Sequence, residues 1–339
     1  MKKYISFIAI ALVAVFTSCS NEDVTIKRAF TFKVNPYSVI SSFPEEWPGE
    51  LTSFDSSLKL RIRLLVYNEN GNLVFNESSY LSSYSSEMSV SKSLATGTYT
   101  LIATTDLVPN SGTPYWTLSD ENNINTASIT TENIHTGGKN KILGFCSQKV
   151  TITESSQSIT LSPTPAGALV RMYYNNVFSY SNVKYYALYA NRASYSMSFD
   201  ANGNPSIQPH VSPDGKLDVI CSVVDVDNAE GNNLYSWYFI FPVENVTFRY
   251  IWESRDEVQY WMGEQFTIPS IKAGEEWLLE VDCETDINNQ SKYEGVGSRQ
   301  LESRIPSTVP TMIKKVEQAK VPSLFPVGKS MKLKDLIQK

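Results

Sequence analysis

Three kinds of residue in this 339-residue chain could do chemistry: a thiol near the N-terminus, two histidines and a few clustered carboxylates. The histidines, His135 and His210, both sit among loop-forming residues. A Ser-His-Asp or Cys-His site would have to recruit one of them. Neither has a nucleophile motif nearby, and no Gly-x-Ser-x-Gly occurs. Zinc finds no ligand set, since the cysteines are isolated and no histidine pair has metal spacing. Asp225-Val226-Asp227-Asn228-Ala229-Glu230-Gly231 looks like the start of a calcium loop. It has Glu230 in place of the sixth-position glycine and Ser236 in place of the bidentate acid, so it reads as a polar hairpin turn. Glu45-Glu46 and Glu275-Glu276 are adjacent pairs, which point to opposite faces on a strand, whereas glycoside hydrolysis needs converging acids. No enzyme, metal or cofactor is expected.

The thiol, Cys19, is better placed. Lys2 and Lys3 form a charged start, Ile5 to Phe16 an apolar run broken only by Ser6, and Thr17-Ser18 leads into the cysteine. This is the layout of a secretory signal, too short to read first as a membrane-spanning helix. Phe16-Thr17-Ser18-Cys19 resembles the lipobox of bacterial lipoproteins, whose cysteine is acylated and becomes the mature N-terminus; Phe16 stands where Leu is more usual. Ser20 follows instead of Asp, and Asn21-Glu22-Asp23 resembles the export signal of surface-exposed lipoproteins. The expectation is a body held at the outer membrane, facing outward, by lipid on Cys19. Residues 1–18 are then the signal and 19–26 the tether.

The chain is 42% hydrophobic and 19% charged, a composition that buries substantial cores. Its Ser, Thr, Tyr and Val content favours strands. The net charge of -6 conceals an asymmetry: residues 290–339 hold ten Lys/Arg and four Asp/Glu, or +6, leaving -12 on the rest. An acidic exported body is a poor match for nucleic acid, while the basic tail suits anionic lipid, polysaccharide, an acidic protein or plain solvation. Beyond Cys19 there are Cys146, Cys221 and Cys283. The last two share a proposed domain and could bridge, but each sits in an alternating strand pattern and reads better as a buried free thiol. Tyr115-Trp116, in a long Asn/Thr/Ser/Gly-rich stretch at 105–141, and Trp252 and Trp261, flanking the charged turn Glu253 to Glu257, are the candidate rings for contact with a glycan or protein partner. The favoured reading is that most of them are core or edge residues of an aromatic-rich sandwich.

The elements behind these residues alternate with period two. Leu58, Leu60, Ile62, Leu64 and Val66 share one face of a strand, and Lys59, Arg61 and Arg63 the other. Asn70-Gly71 then predicts a type I′ hairpin turn into Leu73 and Phe75. The same grammar follows at Leu169 to Tyr174, Tyr185 to Ala190, Leu217 to Val223, Trp237 to Phe241, Val246 to Trp252 and Trp277 to Val281, with turns at Asn202-Gly203 and Asp214-Gly215. Many short strands with regular turns indicate all-β antiparallel sandwiches, placed at 27–162 and 163–285. The tail, 286–339, carries a short helix expected at Met312 to Lys320.

Leu60-Arg61-Ile62-Arg63-Leu64-Leu65-Val66-Tyr67 before Asn68-Glu69-Asn70-Gly71-Asn72-Leu73-Val74 resembles the first-domain hairpin of the fimbrillin superfamily, nearest its FimB-type fimbrial anchor lipoproteins. Leu94 to Ala103 resembles that family's Gly-x-Tyr turn into a strand, and Ala166 to Arg171 its Arg-bearing strand opening the second domain. The resemblance covers residues 27–285 and leaves the tail unmatched. It implies two tandem transthyretin-like β-sandwich domains and a role in surface fimbriae, with fimbrial subunits as partners. Stalk members lose their leading strand by cleavage after an Arg, and the vacated groove takes a strand from the next subunit. Arg28-Ala29 is the conceivable bond here, though Cys19 to Arg28 is short for a removable groove-filling strand. The implied role is an anchor or accessory subunit. A surface glycan-binding lipoprotein and a secreted hydrolase are the alternatives.

Overall fold

The computed structural model describes residues 27–41, 56–131, 141–179, 183–194, 196–209, 219–229, 231–255, 259–262, 266–282, 293–294 and 312–315. Among them the chain is all-β, with one short α-helix. The first half supplies β1 (Lys27–Val34), α1 (Tyr37–Ser41), β2 (Leu58–Asn68), β3 (Leu73–Leu81), β4 (Met88–Ala95), β5 (Gly97–Pro109), β6 (Thr117–Ser119), β7 (Ser128–Thr130), β8 (Leu143–Ile152), β9 (Ser158–Leu161) and β10 (Thr164–Pro165). The second supplies β11 (Ala168–Asn175), β12 (Val183–Ala190), β13 (Ser196–Phe199), β14 (Pro205–Ile207), β15 (Val219–Asp225), β16 (Asn233–Ile240), β17 (Val243–Ser254), β18 (Gln259–Met262), β19 (Phe266–Ile271), β20 (Glu276–Asp282), β21 (Tyr293–Glu294) and β22 (Met312–Lys315).

In the first half a three-stranded sheet, β4-β1-β9, shares a core with a five-stranded sheet, β10-β8-β5-β2-β3. Phe30, Phe32 and Val34 of β1 and Leu60, Ile62, Leu64 and Val66 of β2 are buried in it. In the second half β16-β11-β20-β22 and β15-β12-β17-β18-β21, with β19 on β17, share a separate core that includes Val170, Met172, Tyr174, Tyr186, Phe248 and Tyr250.

A fifth sheet, β14-β13-β7-β6, draws strands from both halves. It lies on the outer side of the five-stranded sheet, where Phe199 of β13 stacks on Phe145 of β8 at 5.6 Å between ring centroids. That third layer corrects the reading of 105–141 as a long loop. β5 continues to Pro109, and the stretch then contributes β6 and β7, its sparse apolar residues Ile124, Ala127 and Ile129 all turning into the core. The layer also corrects the assignment of Arg61 and Arg63 to an outward face, since they are only 9% and 5% exposed.

Two local readings differ as well. The Asn70-Gly71 turn is not type I′: Gly71 alone has positive φ, at 78°. Its three-residue loop is closed by Gly71 N–H on the Asn68 carbonyl and by Asn68 N–H on the Asn72 carbonyl, the form in which a turn precedes one left-handed residue. Asn68 Oδ1 accepts from the backbone of Asn70 and Asn72, which holds the loop in that form. Met312–Lys315 is a strand and not a helix, paired antiparallel to β20 from Trp277↔Lys315 to Glu280↔Met312. So short a segment has little helical stability of its own, whereas a sheet edge supplies partners for its backbone.

Candidate functional site

The leading strand, β1, carries the bond at which cleavage is conceivable, Arg28-Ala29. β1 has the sequence Lys27-Arg28-Ala29-Phe30-Thr31-Phe32-Lys33-Val34, so its even positions from Phe30 onward are apolar and face the core. It pairs antiparallel with β4 from Lys27↔Ala95 to Val34↔Met88, and parallel with β9 from Thr31↔Ser158 to Val34↔Leu161. Phe30 and Phe32 lie 4.9 Å apart by ring centroids, and Phe32 meets Phe75 edge-on at 5.5 Å. Thr31 and Ser91 hydroxyls bond at 2.8 Å, and Lys33 pairs with Glu87 at 3.5 Å on the solvent side. Burying Phe30, Phe32 and Val34 stabilises the seated strand by roughly 1.5–3 kcal/mol each. Arg28-Ala29 lies inside β1, opposite Leu94 and Ser93, with its side chains exposed.

The candidate rings separate. Trp116 is 2% exposed and belongs to the core, which removes it as a ring for glycan or partner contact. Its indole N–H donates to the Lys141 carbonyl at 2.8 Å, and its ring meets Phe241 at 5.3 Å and Phe239 at 6.2 Å. The cause is the third layer again, which folds Trp116 under the second half's aromatics. Tyr115 is half-buried. Trp252 and Trp261 are register partners in the β17–β18 pair, and their side chains lie outside the described part. Cys19, His135, His210, Cys283, Glu45-Glu46 and Asp214-Gly215 also lie outside the described residues.

Charge is buried where sequence reading saw solvent. Arg61 donates to Asp106 through Nε at 3.0 Å and Nη2 at 2.6 Å, and Nη2 also reaches the Trp116 carbonyl at 2.7 Å. Burial opposes the Arg61 charge, but Asp106 more than offsets it and holds the guanidinium above its ordinary pKa. Arg171 pairs with Glu276, which is 1% exposed, in the second half. Lys141 has a buried amine with no hydrogen-bond partner among the described residues, and burial pulls it down to about 8. Cys146 is a free thiol pushed up to about 12 by burial, so it stays protonated and unreactive. Asp225 caps the short turn Val226–Asn228, and Asp227 is held down to about 2 by Arg255 and Lys184, so these acids are spoken for by cations and backbone. One signal in the sequence pointed to the covered face: Leu65 and Tyr67 continue the line of Arg61 and Arg63, and a solvent face would not carry them.

No protein-family model matches the chain, and no curated protein sequence does. Solved structures are similar to it at a distance. One is a Bacteroides thetaiotaomicron protein provisionally described as polysaccharide-binding, at TM-score 0.42 and 9% identity over 76% of this chain and 92% of that one. Another is a provisional adhesin from Bacteroides ovatus, at TM-score 0.43 and 11% identity over 74% and 80%. A third is the fimbrial anchor protein Mfa2 from Porphyromonas gingivalis, at TM-score 0.39 and 9% identity over 75% and 91%. These are loose overlays between distant chains.

Proposed function

We propose that this chain is a surface lipoprotein of the FimB-type anchor kind, rooting a fimbria in the outer membrane through lipid on Cys19 and holding a fimbrial subunit by strand pairing. The observation that carries the reading is the seating of β1. A stalk subunit must give up its leading strand, but cleavage at Arg28-Ala29 would leave Phe30, Phe32 and Val34 in the core and the groove still filled. The same cut would part the body from Cys19. Its backbone is paired with β4, so a protease needs that end of the strand to open first. A body that keeps both its strand and its lipid suits the root of a polymer better than its shaft. The glycan-binding alternative loses Trp116 from its contact surface.

The test is a Cys19→Ala comparison of membrane fractionation and co-purifying proteins. Loss of membrane association with fimbrial subunits still bound is the expected result. Unchanged fractionation overturns the lipid assignment, and an absence of fimbrial subunits from the wild-type preparation overturns the anchor role.

A further inference from the structure

Among the described residues the β3 edge of the five-stranded sheet is long and unpaired, and Lys92 of β4, over the Phe75 ring and paired with Glu77, is the one cation set against it. β3, at nine residues, is the longest strand at a sheet end; β4 and β16 have eight, β15 seven, and β9, β10, β14, β6, β21 and β22 two to four. β3 contains no proline and a single charge, Glu77, and β2 is its only paired strand among the described residues. Long regular edges of this kind are templates for another strand.

The edge has definite limits. At its start Leu73 N–H donates to the Asn122 carbonyl at 2.9 Å, and Asn72 bridges Asn123. At its end the chain bends away at Ser82. The usable stretch is therefore Phe75 to Leu81, whose midpoint is Ser78. Phe75 and Leu81 sit half-buried at the rim of the core, and Tyr80 is 57% exposed.

We propose that β3 pairs antiparallel with β3 of a second copy of this chain, about a two-fold axis through Ser78. This register sets Phe75 opposite Leu81 of the second copy at both ends, closing two rims with apolar pairs on one face. On the other face Asn76 meets Tyr80, and Ser78 meets itself where little side-chain volume is in the way. Glu77 falls opposite Ser79. A register centred on Glu77 would instead set like charges face to face and drive Leu81 into the Asn122 cap. In the Ser78 register the two Glu77 carboxylates are diagonal neighbours, and each already has Lys92 of its own chain at 2.8 Å. The second half of each strand thus supplies what the first half needs, and an isologous pair closes without leaving a new edge. So short a seam is at the small end of stable interfaces, so the pair depends on chains held at high local concentration.

The experiment is disulfide trapping in intact cells producing the full chain. Ser78→Cys places two sulfurs directly across the axis, within disulfide reach, whereas Glu77→Cys separates them beyond it. Under mild oxidant, Ser78→Cys should give a band of twice the mass well above that of the parent chain, and Glu77→Cys should not. Adding Ser79→Glu, opposite Glu77, should lower the trapped fraction several-fold, and Ser79→Lys should preserve it. No excess band for Ser78→Cys, equal trapping by Glu77→Cys, or equal effects of the two Ser79 substitutions would each overturn the proposal.

Discussion

Arg61 and Asp106 form a two-point ion pair between β2 and β5, 3.0 and 2.6 Å long, with Asp106 wholly buried. The same guanidinium holds the Trp116 carbonyl, so one charged contact ties the sheet to the layer that covers it.

Removing one partner strands the other charge in an apolar surround. Asp106→Ala should cost about 3–5 kcal/mol in urea denaturation, and the paired Arg61→Met, Asp106→Leu chain should recover most of that. A double variant as unstable as Asp106→Ala would mean that Arg61 contributes mainly through the Trp116 carbonyl and not through its charge partner.

Lys141 makes a pH-dependent case. Its folded amine sits at about 8 against 10.5 when free, because burial penalises the charge. Below pH 8 both states are protonated and the folded chain carries the whole penalty. Between the two values the folded amine is neutral while the unfolded one stays charged, so its contribution improves as pH rises. Lys141→Met should raise Tm at pH 7 by roughly 2–4 °C for each kcal/mol relieved, and the difference from wild type should shrink by pH 10. An equal gain at both pH values would assign the effect to packing alone.

Legibility followed the range of the interaction. β2, β3, β11, β12, β16, β17 and β20 stand where alternating Leu, Ile, Val and aromatic residues placed them, because each strand carries its own burial pattern. The Asn70-Gly71 hairpin was also legible, though not its turn type, which the Asn68 side chain decides by accepting two backbone N–H groups. The third layer was not legible. β6, β7, β13 and β14 are three or four residues long and gain stability only by meeting across the two halves, information that no local window holds. The misplacement of Arg61 and Arg63 follows from that single omission, whereas the burial of Trp116 agrees with reading it as a core residue. At the leading strand, Phe30, Phe32 and Val34 were visible as apolar residues, but not β1's position between β4 and β9.

The shared sheet predicts cooperative behaviour. Phe199 from the second half stacks on Phe145 of the first, and the Asn202-Gly203 turn rests on Ser147 and Thr100. Gly203 has φ 81°, and a Cβ there would collide with both residues. Calorimetry of the parent chain should show one transition. Phe199→Ala should cost about 3–5 kcal/mol and split that transition in two, and Gly203→Ala should act in the same direction. Two transitions in the parent chain would show that the layer covers the first half without coupling it to the second.

The last prediction concerns the bond between Arg28 and Ala29, which is exposed by side chain yet paired by backbone to Leu94 and Ser93. Proteases bind extended, unpaired chain, so cutting must wait for the start of β1 to lift from β4. At this end β4 is the only strand paired with β1 among the described residues, because β9 joins only from Thr31. An Arg-specific protease should therefore cut slowly, and Lys92→Pro, which removes the backbone N–H that β4 turns toward β1 opposite Phe30, should speed cutting about tenfold for each 1.4 kcal/mol of pairing lost. The released body should begin at Ala29 and leave the membrane fraction, while its Tm stays at that of the uncut chain because Phe30, Phe32 and Val34 remain seated. A large fall in Tm on cleavage would mean that β1 departs with the cut, and the chain would then behave as a subunit whose groove is opened by processing.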